Sequence, residues 1–136
     1  MRKTPKISEA EWEVIQVLWK TSPMTANDIV EKLTAKTPWK RETIRTLINR
    51  LVQKKAIAFE KKGRQYDYFP LVTETECLRA ESESFLRRFG GRSIEPMLAA
   101  FVEEKQLSAA KIAKLRQILD EKAASTKRKE QRKRSE

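Results

Sequence analysis

Arg41, Thr43, Arg45, Thr46 and Asn49 fall within nine consecutive residues. Arginine presents a planar fork of donors, asparagine an amide with donor and acceptor side by side, and threonine a hydroxyl beside a methyl. Each matches a base edge in the major groove of duplex DNA. Arginine pairs with O6 and N7 of guanine, asparagine with N6 and N7 of adenine. Lys40 and Arg50 flank the set and suit phosphate oxygens. A second basic group, Lys61, Lys62 and Arg64, follows shortly after and suits the backbone or the minor groove.

The residue types that are missing exclude other chemistry. The chain has no histidine and one cysteine, Cys77. Histidine-based nucleophilic pairs, histidine-ligated metals, thiolate zinc sites and an internal disulfide are all ruled out. Three glycines, Gly63, Gly90 and Gly91, form no phosphate-cradling loop. The carboxylates fall on polar helix faces, where solvation accounts for them. No enzyme activity, cofactor or metal is therefore expected. Cys77 reads as a helix-surface or core residue rather than a sensor.

For groups on one segment to reach base edges together, the segment must be a helix docked on something. Ile44, Leu47, Ile48 and Leu51 supply the docking side, at i, i+3, i+4 and i+7, over about residues 40–55. A first helix is predicted over about 9–20, opened by the capping box Ser8-x-x-Glu11. Its apolar face reads as Trp12, Ile15, Leu18 and Trp19, so both tryptophans are expected in the core. Thr25 and Asp28 open a second helix, with Ala26, Ile29, Val30 and Leu33 inward and Pro38 beyond its end. Trp39 precedes the third helix and reads as a staple or a backbone contact. The period then shortens. Residues 56–61 and 65–71 read as two strands around Lys62, Gly63 and Arg64, a hairpin with a basic tip. Three helices and a basic hairpin, in that order, make a winged helix-turn-helix over residues 1–71.

Beyond it the pattern is helical again. Thr73 and Glu76 open a helix over 73–89, with Phe85 and Phe89 on a sparse apolar side, and Gly90 and Gly91 break it. Ile94, Met97, Leu98, Phe101 and Val102 make a second stripe over about 93–105. After a Ser108 cap, Ile112, Leu115, Ile118 and Leu119 make a third. The whole is mainly α with a small β-hairpin. Residues 72–122 read as a helical dimerisation region, and residues 123–136, basic and without apolar periodicity, are expected to be disordered.

Charge follows the same division. Of the net +11, residues 1–70 carry +7, residues 71–122 are neutral, and residues 123–136 carry +4. A basic half suits a polyanion and a neutral one suits protein contact. A homodimer would place two recognition helices about one DNA turn apart, roughly 34–36 Å, and so calls for a palindromic operator. Nonspecific DNA binding, and a winged helix used only as a protein-contact adaptor, remain alternatives. Without an apolar stretch of membrane length or a secretory h-region, the expected location is the cytoplasm. The tail KRKEQRKR reads as a nonspecific DNA arm, an anionic-membrane patch or a solubilising end.

Several segments taken in order, ISEAEWEVIQVLW, TANDIVEKL, TIRTLINRL, YDYFPLV and MLAAFVEEKQLSAAKIAKLRQILDE, resemble the penicillinase-repressor (BlaI/MecI) family over residues 7–122. The resemblance implies a winged-helix dimer that represses β-lactamase or related resistance genes. It also implies a partner, a membrane-bound sensor with a metallopeptidase domain, whose signal leads to repressor cleavage. The family's cleavage point, between Asn and Phe, aligns with Ala100 and Phe101, so only the second residue matches. Lys40 and Arg41 stand where the family often has Ser-Pro. The paired cysteines of the copper-responsive branch are missing.

Overall fold

The computed structural model describes residues 3–104 and 106–135. The chain divides into two units, Met1–Phe89 and Gly90–Glu136. In the first, α1 (Glu9–Lys20), β1 (Met24–Thr25), α2 (Ala26–Lys36), α3 (Arg41–Gln53), β2 (Ile57–Lys62), β3 (Gln65–Pro70) and α4 (Glu74–Phe89) follow in order. The strands form one antiparallel sheet in the order β1–β3–β2.

Local chemistry sets the helix starts. The Ser8 hydroxyl accepts from the Glu11 N–H at 3.2 Å, and the Glu11 carboxylate accepts from the Ser8 N–H at 2.9 Å. This reciprocal pair satisfies two otherwise unpaired donors at the start of α1. Thr25 caps α2 by accepting from Asp28 N–H at 3.2 Å, and Thr73 caps α4 by accepting from Glu76 N–H at 3.0 Å. At the end of α3 the chain reverses through Lys55, whose φ is 63°. Lys55 N–H bonds the Val52 carbonyl and Ala56 N–H bonds that of Leu51, each at 3.0 Å, the Schellman pattern that most helices close with glycine. Two residues, Gly63 and Arg64, join β2 to β3, and Gly63 takes φ 65° at the first turn position as a II′-type hairpin requires.

The core is built from Val14, Ile15 and Leu18 of α1, Ile29, Val30 and Leu33 of α2, and Ile44, Ile48 and Leu51 of α3, with Ile57 from the sheet. Val72 and Cys77 join it, so the start of α4 packs into the core of the first unit, which ends at Phe89. Burial also raises the Cys77 thiol pKa, with the charges of Glu76 and Glu81 adding to the effect, which keeps the thiol protonated.

The face of α1 differs from the sequence expectation. Its buried line is Glu11, Val14, Ile15, Val17 and Leu18, whereas Trp12 and Trp19 are half-buried at its edge. The two indoles meet edge to face at 5.3 Å, and Trp19 Nε1 donates to the Val72 carbonyl at 2.9 Å. Indole is too broad and too polar at its nitrogen to fill the centre of so small a core. It covers the rim instead, where its N–H finds a partner.

The second unit holds a 3₁₀ turn (Gly91–Ser93), α5 (Ile94–Glu104) and α6 (Ala109–Ser135). Ser108 caps α6 by accepting from Lys111 N–H at 3.2 Å. Helix α6 runs through the basic segment to Ser135, where disorder was expected. Lys, Arg, Gln and Ala need no apolar stripe to be good helix formers, and Arg132, Lys133 and Arg134 in the last turn complement the negative end of the helix dipole. Among the described residues α5 and α6 bury none.

Candidate nucleic-acid interface

Helix α3 separates its residues cleanly. Ile44, Leu47, Ile48 and Leu51 are buried, while Arg41, Thr43, Arg45, Thr46, Asn49 and Arg50 are all exposed. Lys40 takes the N-cap position with no side-chain cap bond, so the first turn's N–H groups stay open beside its ammonium. Such a terminus is a ready anion site. The sequence-predicted reading residues therefore lie together on one solvent-facing helix surface.

Two details modify their chemistry. Thr46 donates its hydroxyl hydrogen to the Glu42 carbonyl at 2.9 Å, which leaves its lone pairs and methyl facing outward. Arg45 donates from Nη2 to Asn27 Oδ1 of α2 at 2.8 Å. Asn27 was not among the residues read from the sequence. Its partner lies 18 positions away, and nothing local marks it. The bond holds one arm of the guanidinium and leaves its other donors for a ligand, lowering the rotamer entropy that Arg45 must lose on binding.

The hairpin carries its basic groups outward. Lys61, Lys62 and Arg64 are exposed. Lys61 Nζ lies 6.0 Å from the Tyr66 ring centre, and Lys62 Nζ lies 4.0 Å from Asp67 Oδ2. Phe59 packs edge to face on Tyr66 at 5.1 Å and also contacts Tyr68 at 5.6 Å, stiffening the strand pair beneath the tip. Trp39 packs against the core, as a staple for the start of α3.

The far end of α3 is pinned as well. Lys54 donates to the Lys6 carbonyl at 2.9 Å and bonds the carboxylate of Glu11, which is 1% exposed. Burial pushes the Glu11 pKa up, but the Lys54 hydrogen bond, the Ser8 backbone and hydroxyl, and the Lys54 charge outweigh it and leave it below the ordinary value. Among the described residues, Glu11 Oε2 has no hydrogen-bond partner. A buried carboxylate with one tethering cation orients α1 against α3; removing only the lysine would leave an uncompensated charge.

The residues expected at a dimer interface are distributed over both units. In α4, Phe85 is half-buried and its ring packs at a tilt against Phe89, 5.1 Å between ring centres. Ile94, Met97, Leu98, Phe101 and Val102 of α5 are 43–60% exposed, and Ile112, Leu115, Ile118 and Leu119 of α6 are 38–62% exposed. Ala100 and Phe101 lie inside α5, both exposed. Among the described residues no group of acidic, cysteine or histidine side chains could hold a metal, and no helix is long and apolar enough to cross a membrane.

Residues 7–121 match the family model described as penicillinase repressor. The penicillinase repressor of Bacillus licheniformis is 39% identical over 121 residues, covering 89% of this chain and 94% of the relative. The methicillin resistance regulatory protein MecI of Staphylococcus aureus (strain N315) is 36% identical over 120 residues, covering 88% and 98%. Among solved structures, the DNA-binding domain of the repressor BlaI matches with a TM-score of 0.50 and 38% identity, over 56% of this chain and 93% of that one. The monomeric form of Bacillus licheniformis BlaI in complex with the blaP half-operator matches equally well. The chain belongs to the penicillinase repressor family.

Proposed function

We propose that this chain is a sequence-specific DNA-binding repressor that acts as a homodimer on a palindromic operator of β-lactamase or related resistance genes in the cytoplasm. The observation that carries the reading is the two-faced α3, with a fully buried apolar stripe and Arg41, Arg45 and Asn49 exposed together opposite it. Arg41, Thr43, Arg45, Thr46 and Asn49 meet base edges in the major groove. Lys40 and Arg50 meet phosphates beside them, and Lys61, Lys62 and Arg64 lie on the flanking backbone. The relative BlaI, bound to the blaP half-operator, supports a DNA site read in halves.

Two copies pair through the exposed stripes of α5 and α6. Apolar surface of that extent is unusual on a monomer and is stabilised by covering it. A covalently complete dimer binds its second half-site at high effective concentration, and a severed one does not. Release follows cleavage at Ala100–Phe101, under the control of a membrane-bound sensor metallopeptidase. The bond lies within α5, so a protease must unwind a helical turn to reach it, and dissociation of the pair would make that easier.

Selection of bound duplexes from a random DNA pool tests the reading. A palindrome with half-sites about one turn apart is expected. Enrichment of no sequence, with binding lost steeply as salt rises, would leave only nonspecific DNA binding.

A further inference from the structure

Helix α6 changes character without changing direction. Ile112, Leu115 and Leu119 follow one another at steps of three and four residues, and the same alternation continues through Lys122, Thr126, Lys129 and Lys133. Steps of three and four keep residues on one face of a helix. One stripe is therefore apolar to Leu119 and, apart from Thr126, cationic from Lys122 onward, with Arg132 on its flank. Past Glu121, Glu130 is the one carboxylate among the described residues; four residues after Thr126 and three before Lys133, it borders this stripe, where seven Lys and Arg of residues 122–135 outnumber it. Lys122, Lys129 and Lys133 offer a second copy no apolar surface, so the cationic part of the stripe falls outside an apolar pairing along Ile112, Leu115 and Leu119.

We propose that this face, Lys122 to Lys133, is a second DNA-binding surface that grips phosphates outside the operator half-site. Charge complementarity supports a polyanion, because Arg128 with Arg132 and Lys129 with Lys133 are like-charged pairs one turn apart that repel until screened. An anionic membrane fits less well, since a surface-seeking helix needs an apolar face beside its charges and residues 122–135 have none. The segment lies beyond residue 121, where the family match ends. The proposal rests on the repressor reading, which supplies duplex DNA within reach of the same chain.

The test compares the full chain with a variant carrying Lys122→Gln, Lys129→Gln, Arg132→Gln and Lys133→Gln. Binding to a selected operator with long flanks, the same operator without flanks, and a random duplex is followed from about 50 to about 200 mM salt. Removing one cation that neutralises a phosphate lowers the salt slope by about 0.9, so a drop of about two to four units is expected on both long duplexes, with the operator preference unchanged. The full chain should gain affinity from the flanks and the variant should not. A matching variant with arginine at Lys122, Lys129 and Lys133 should behave as the full chain. An unchanged slope overturns the proposal. So does an unchanged slope accompanied by loss of binding to phosphatidylserine vesicles, which would assign the face to lipid. Absence of any operator preference in the full chain would sink the repressor reading instead, while the random-duplex slopes still decide this one.

Discussion

Helices α3 and α6 each carry four apolar residues at helical spacing within eight positions. In α3 the four are at most 5% exposed, whereas in α6 Ile112, Leu115, Ile118 and Leu119 are 38–62% exposed. Pattern alone does not separate them. Helix α3 is covered by α1, α2 and the sheet of its own chain, and its stripe is a core. Among the described residues of its unit the stripe of α6 is covered only in part, so further stabilisation must come from another surface. The two helices teach that amphipathicity reports the need for a partner, not its identity.

The largest expected effect lies in the first unit. Ile48→Ala should lower the stability of the winged unit by about 2–5 kcal/mol, through reduced burial and the cavity left behind. Leu115→Ala should leave the unfolding of that unit unchanged. Equal losses in denaturant titrations of the two variants would break the comparison.

Charge placed on the uncovered stripe comes next. Leu115→Asp with Leu119→Asp should weaken self-association at least a hundredfold, about 2.7 kcal/mol, by sedimentation equilibrium. A dimer of unchanged strength would move the interface away from α6.

Arg45→Ala should cost about 1–3 kcal/mol at one base position of the operator. Asn27→Ala should cost less, and at that same position. In the Arg45→Ala background the Asn27 change should then have no further effect on specificity. If Asn27→Ala instead weakens every sequence equally in both backgrounds, Asn27 touches phosphate and does not brace Arg45.

Glu11 contributes a pH dependence. Its folded-state pKa lies below the ordinary glutamate value of 4.5. The stability it supplies is therefore complete above that value and is lost as pH falls through the lowered one. Thermal midpoints of Glu11→Gln should be lower than those of the parent at neutral pH and should change less with acid below 4.5. Parallel curves for the two proteins would remove Glu11 from the account.

The smallest effect is a gain. Lys55→Gly relieves a left-handed residue and should stabilise the winged unit by about 1 kcal/mol. A loss of stability would mean that the Lys55 side chain contributes more than its backbone costs.

Much of this was legible in the sequence because its causes are local. Ser8, Thr25, Thr73 and Ser108 cap the helices they were expected to cap, and the inward residues of α3 are those its periodicity names. The unread parts depend on distant partners or on propensity. Strand β1 is two residues long and exists through pairing with Tyr68 and Asp67. Glu11 is buried because Lys54, 43 positions away, reaches it. Asn27 matters through Arg45. The end of α6 was missed because apolar periodicity was the criterion, and a helix of lysine, arginine and glutamine does not display it.

All three tryptophans, Trp12, Trp19 and Trp39, lie in the winged unit, and the second unit has none. Indole emission is therefore a private optical channel for the winged unit, and helical ellipticity is shared by both. Heating the protein while recording the two signals together would time the melting of the uncovered helices against that of the core. Separation of the traces on dilution, and their merging at high protein concentration, would make the partnership of α5 and α6 visible without any label.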